Sequence, residues 1–161
     1  MTEPIVEQLD LPPDYGKPSK LLKWADVRKQ LEDAPVYWVT SVRPNGHPHV
    51  VPRDGIWLDH TWYYGGSPET VHSKNIQKNP AVNVHIGDGM EAIIVEGEAH
   101  HVKPPKETSE KLAEINNTKY AHYGMNMKAE TYMTRGIWAV EATRIIAWKE
   151  LFTDATRFRF E

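Results

Sequence analysis

Between Val36 and Ala99 the chain concentrates its β-branched and aromatic residues in four or five short runs, separated by glycine, proline and asparagine turns. Val36 to Val42 reads as a strand, and Arg43-Pro44-Asn45-Gly46 as the turn of a tight hairpin, with Asn-Gly supplying positive φ angles. The next strand, His49 to Leu58, is interrupted by Pro52 and Gly55, which places it at an edge or bulge where a ligand can approach the backbone. Asp59-His60 leads into a third strand, Thr61 to Gly65. A polar stretch from Thr70 to Lys78 predicts a short helix, ended by Asn79-Pro80. Strands at 81–86 and 91–102 follow, joined by Gly87-Asp88-Gly89.

Outside this block the pattern changes. Residues 1–18, with Pro12-Pro13 and Gly16-Lys17-Pro18, read as a flexible tail, because they propagate neither a helix nor a central strand. Ser19 is then the predicted N-cap of a helix from Lys20 to Glu32, with Leu21, Leu22, Ala25 and Leu31 on its apolar side. A second long helix is expected over 106–121, after Pro104-Pro105. The segment from His122 to Arg135 is open between helix and loop. Ile137 to Val140 and Arg144 to Trp148 read as a closing pair of short strands. From Thr153 to Phe160, period two puts Arg157 and Arg159 on one face and Phe158 and Phe160 on the other. The sum is a mainly β, α+β chain: an antiparallel closed or split barrel of Greek-key type with two or three peripheral helices, in one domain over 19–161.

Composition narrows the function. The 161 residues carry a formal net charge of −3, which argues against a chain built to coat nucleic acid. The absence of cysteine excludes disulfides, thiolate metal sites and cysteine nucleophiles. The acidic, polar first ten residues do not read as a signal peptide, and no stretch approaches a membrane span, so a cytoplasmic location is the expectation. The eight histidines include His47-Pro48-His49 and His100-His101. Neither pair converges as zinc ligands must.

The chemistry concentrates in Thr70-Val71-His72-Ser73-Lys74-Asn75. Hydroxyl, imidazole and ammonium groups follow a strand that ends in Gly65-Gly66. A helix start of this kind offers backbone N–H groups, a hydroxyl and a cation to one phosphate. Arg53 is a further candidate cation; outward pairing with Asp54 is its alternative.

The order and spacing of several segments resemble the flavin-binding split-barrel family of the pyridoxamine-phosphate oxidases and their deazaflavin-dependent relatives. They are Tyr37-Trp38-Val39-Thr40, Arg43 to His49, Pro52, Gly55 to Asp59, Tyr63-Tyr64, the polar turn to Asn79-Pro80, Val95 to Ala99, Ala147-Trp148 and Asp154 to Phe160. The resemblance implies FMN or F420 bound in a groove between two subunits of a homodimer. Val51, Pro52, Arg53 and Asp54 would run beneath the ring, and Tyr64 and Gly65 would border the phosphate. Thr70, His72, Lys74 and Asn75 would form the phosphate turn, with Trp148 and Arg157 covering the flavin. His72 stands where relatives place a lysine, and Val71 where an arginine is common. No residue reads as a catalytic acid or base. The implied function is a flavin- or F420-dependent oxidoreductase acting on a small conjugated molecule. Its alternative is a non-catalytic flavin- or haem-binding, redox-sensing protein of the same fold.

Overall fold

A computed structural model describes residues 3–160. Its strands are β1 (Ile5–Gln8), β2 (Tyr37–Val42), β3 (Pro48–Arg53), β4 (Ile56–Leu58), β5 (Thr61–Tyr64), β6 (Ala81–Gly87), β7 (Ala92–Val102), β8 (Ile137–Trp148) and β9 (Thr156–Arg159). The helices are α1 (Trp24–Asp33), α2 (Val71–Lys78), α3 (Lys106–Lys119), α4 (Ala129–Arg135) and α5 (Leu151–Asp154). All strand pairs are antiparallel, in the order β1-β9-β8-β7-β6-β2-β3, and β5 bridges β4 to the first half of β8. This is the split barrel expected, with more helices than two or three. Among the described residues no helix is long and apolar enough to cross a membrane.

Alternation along the strands builds the core. Tyr37, Val39, Val84, Val95, Val140 and Ile145 are buried on the inner face, around a central Trp62 stacked on Tyr64 with ring centroids 4.4 Å apart. Each such burial contributes about 1.5–3 kcal/mol. Ile56, Leu112, Ala113, Tyr132 and Ile137 form a second cluster that fastens α3 and α4 to the outside of β4 and β8.

The hairpin between β2 and β3 uses three residues. Gly46 donates to the Arg43 carbonyl at 2.8 Å, Arg43 donates to the His47 carbonyl at 2.9 Å, and Gly46 alone in the turn has positive φ. That is a type I turn closed by a glycine bulge, so Asn45 does not need the left-handed conformation. β3 lies at the sheet edge, as its Pro52 requires.

Three expectations are corrected. First, residues 1–18 are not a tail throughout: Ile5–Gln8 pairs with β9, Glu7 opposite Arg157. The Glu7 carboxylate accepts from Arg157 Nε at 3.0 Å and from Arg159 Nη2 at 3.2 Å, so the arginine face of β9 holds the strand. Hydrogen bonding from Arg159 pulls the Glu7 carboxyl below its usual range, against a smaller cost of burial. The ion pairs therefore persist above the ordinary carboxylate pKa and weaken as pH falls through the lowered value. Glu7→Gln is expected to accelerate amide exchange in β1 while leaving β6 and β7 unchanged; equal exchange in β1 would show that the ladder alone holds it.

Second, α1 begins at Trp24, capped by Lys23, and not at Lys20. The Ser19 and Lys20 amides donate to the Thr153 carbonyl and the Leu22 amide to Thr156 Oγ1, which pins residues 19–22 in extended form. The buried face is Trp24, Val27 and Leu31; Ala25 and Leu21 are exposed. Third, Ile137 to Trp148 is one strand. The irregularity read as a break is a bulge: Glu96 pairs with Arg144 and Gly97 with Ala142, leaving Thr143 extra. The undecided segment 122–135 holds a tight turn at 121–123 and then α4.

Candidate functional site

Thr70 closes the first turn of α2 with its side chain, accepting from the Ser73 amide at 3.4 Å. The Thr70 and Ser73 hydroxyls both lie 3.0 Å from the Ser67 carbonyl, so the Gly65–Ser67 loop is tied to the helix start. Asn75, buried on the inner face of α2, donates to Ser41 Oγ at 3.0 Å and fastens the helix to β2. These bonds set the first turn of α2 against the free edge of β3. His49, Val51, Pro52 and Arg53 face Glu69, Thr70, Val71 and His72 across an open groove of about 520 Å³.

Arg53 and His72 meet at the base of this groove. Arg53 Nη2 donates to the Gly65 carbonyl at 2.6 Å, while its Nε is buried without an acceptor. His72 is 3% exposed, and its Nε2 is also buried and unpartnered. Gly66 fits between them because it lacks a side chain. A Cβ there would lie 3.2 Å from Arg53 Nη2 and 3.9 Å from His72 Nε2. Burial pushes the His72 imidazole below its ordinary pKa, and the Arg53 charge and then His49 push it the same way. His72 is accordingly neutral at pH 7. Tyr64 lies under the same corner, its hydroxyl buried and unpartnered and its pKa raised by burial, with Arg53 opposing. Arg53 Nε and His72 Nε2 are thus two buried polar atoms without partners at one corner, one of them on a guanidinium.

The other candidates divide. Val51 and Pro52 line the groove, and Gly65 and Asp54 border an adjoining cleft with Arg53 and Tyr64. Thr70 lines the groove with its hydroxyl committed to capping. Lys74 is exposed and turned to Glu69, 2.9 Å away. Asn75 is an architectural residue bonded to Ser41. Trp148 and Arg157 lie at the other end of the sheet: β2, β6 and β7 separate β3 from β8, and Arg157 is engaged by Glu7 and Asp10. One chain does not bring these two to the groove.

Sequence reading missed a part-buried lysine beside Gly55. Lys119 Nζ donates to Tyr37 Oη at 3.0 Å and to the Gly55 carbonyl at 3.1 Å, over the Tyr37 and Tyr120 rings. Tyr120 Oη donates to the Gly55 carbonyl at 2.8 Å and accepts from the Gly55 amide at 2.9 Å. Together they fix the break between β3 and β4, one residue beyond Asp54. The signal was present in α3: Lys119 stands seven residues after the fully buried Leu112, on the same helix face.

Solved structures share this architecture. A conserved hypothetical protein of Mycobacterium tuberculosis superposes with a TM-score of 0.64 at 16% identity, over 81% of this chain and 86% of that one. An FAD-binding protein of Mesorhizobium loti gives 0.59 at 14% identity, over 98% and 99%. An F420 reductase gives 0.52 at 21% identity, over 73% and 94%. Sequence comparison with curated proteins finds no match. The family profile for pyridoxamine 5'-phosphate oxidase matches residues 24–149, which is 126 of the 161 residues and holds every element from α1 through β8. The chain belongs to the pyridoxamine 5'-phosphate oxidase family.

Proposed function

We propose that the groove between β3 and α2 holds the phosphate of FMN or F420, shared between two copies of this chain, in an oxidoreductase acting on a small conjugated molecule. The observation that carries this reading is the pair of unpartnered buried donors, Arg53 Nε and His72 Nε2, on either side of Gly66. An anion there satisfies both, and its charge reverses the effect of Arg53 on His72, favouring the imidazolium. Glu69, at the rim, is neutralised by Lys74 and is thereby kept from repelling the phosphate.

The bound ring supplies hydride transfer. Val51 and Pro52 would hold it at the strand edge, and the Lys119–Gly55 bond supports the end of that strand. Exposed apolar surface beside the groove supports the shared-site reading. Trp38 and Val50 are 43% and 49% exposed on the outer sheet face next to the groove. A partner seated there covers apolar surface and brings its own Trp148 and Arg157 within range of the cofactor.

Titration calorimetry with FMN and with F420 tests the assignment. Arg53→Gln is expected to weaken the preferred cofactor about tenfold, the effect of one charge-assisted hydrogen bond. In wild type the imidazole signal of His72 should titrate at higher pH once cofactor is bound. Unchanged affinity in the variant, together with an unmoved His72, would remove the phosphate from this corner.

A further inference from the structure

The Gly65–Gly66 loop lines a second cavity, of about 590 Å³, that shares no lining residue with the Arg53–His72 groove. Met127, Tyr132, Ile137 and Trp138 line it together with Arg135 and His101. The volume suits a ligand of one or two fused rings. Apolar surface dominates the lining, Met127 adds a wall that adapts to shape, and no carboxylate lines it. Gly136 closes one end. With φ at +78° and a Cβ position 2.5 Å from His101 Cε1, it admits no side chain, and the His101 ring is left edge-on to Trp138 at 5.3 Å.

Two lining residues carry donors with no protein acceptor among the described residues, one buried and one exposed. The Trp138 side chain is 5% exposed, and its indole N–H is buried and unpartnered. Arg135 forms no ion pair among the described residues, whereas Arg28, Arg144 and Arg157 each have a carboxylate. An apolar cavity lined by an indole and a guanidinium that has no carboxylate partner selects for an aromatic ring bearing an anionic group. We propose that this cavity is a binding site for a planar aromatic carboxylate, with the ring between Met127 and Trp138 and the carboxylate on Arg135. The site stands on its own lining and holds whether or not the groove takes a flavin.

The probe is 2-naphthoate, compared with the uncharged naphthalene-2-carboxamide, added to the full chain and followed by calorimetry and by the indole N–H resonances, with Trp138→Phe identifying the Trp138 signal. Wild type should bind the carboxylate about tenfold more tightly than the amide, the increment of one charge-assisted contact. Arg135→Gln should abolish that preference and leave the amide affinity within about twofold. The Trp138 indole signal should move on adding naphthoate. No binding, equal affinity for the two probes, a preference that survives Arg135→Gln, or a Trp138 signal that stays still while another indole shifts would each overturn the proposal.

Discussion

Gly97→Ala is expected to cost about 3 kcal/mol of stability, among the largest effects available from adding one methyl group. A Cβ at position 97 would lie 2.1 Å from the Glu141 carbonyl oxygen and 3.2 Å from Val140 Cγ1. The carbonyl is main chain, so relief requires opening the β7–β8 ladder on both sides of the bulge. That ladder is the longest in the molecule, running from Ala92 opposite Trp148 to Val102 opposite Ile137. Its bulge also lets Thr143 Oγ1 reach the Glu96 carbonyl at 3.0 Å and sets Arg144 Nη2 2.6 Å from Glu96. For a chain of this length each kcal/mol shifts Tm by roughly 2–4 °C, so a fall of about 6–12 °C should accompany the loss in urea. Gly65→Ala is the control. Nothing lies within 4 Å of its Cβ position and its φ is not positive, so its effect should stay within about 0.5 kcal/mol. Similar losses for the two variants would mean that the bulge tolerates a side chain.

What the sequence made legible was local. The strand runs read at 36–42, 81–86 and 91–102 and the helix start at Thr70 depend on neighbours within a few residues, and they lie within one residue of β2, β6, β7 and the start of α2. The groove was legible for the same reason, because Pro52, Arg53 and the 70–75 turn are set by local chemistry. Features decided at long range were not. The pairing of β1 with β9 joins residues about 150 apart through Glu7 and Arg157, and nothing near Ile5 announces it. Ser19, Lys20 and Leu22 satisfy their amides on Thr153 and Thr156, which overrides Ser19 as a cap. The continuity of β8 rests on Gly97, some 45 residues earlier, absorbing the extra Thr143. Within the groove, the structure brings the buried His72 beside the part-buried Arg53. Lys74, which carries charge as a phosphate ligand should, is taken by Glu69 because both lie on the solvent side of the turn.

Stability should rise, not fall, between pH 8 and 10, and Lys119→Met should remove the rise. Burial holds the Lys119 ammonium down to a pKa of about 8, with Asp33 and then Glu32 opposing the shift. In the unfolded chain the same group titrates near the ordinary lysine value, about 10.4. Between the two values the unfolded state carries the extra proton, so raising the pH favours the fold by up to about 1.4 kcal/mol per unit. Lys119 is part-buried, and a gain of about 2 kcal/mol by pH 10 allows for its contact with solvent. Above pH 10 the sign reverses. Burial raises Tyr37 and Tyr64 well above the usual phenol range and pushes Tyr120 and Tyr132 up to about 12, so the unfolded chain ionises its tyrosines first. Urea unfolding at half-unit steps from pH 7 to 11 should therefore trace a maximum near 10. Methionine suits position 119 because no partner is stranded: Tyr37 Oη keeps its bond to the Leu31 carbonyl, and Tyr120 keeps the Gly55 carbonyl. The variant should match or exceed wild type at pH 7 and stay flat up to pH 10. A variant that still gains stability over that interval would place the titrating group elsewhere, and Lys119 would then be an ordinary ammonium on the flank of α3.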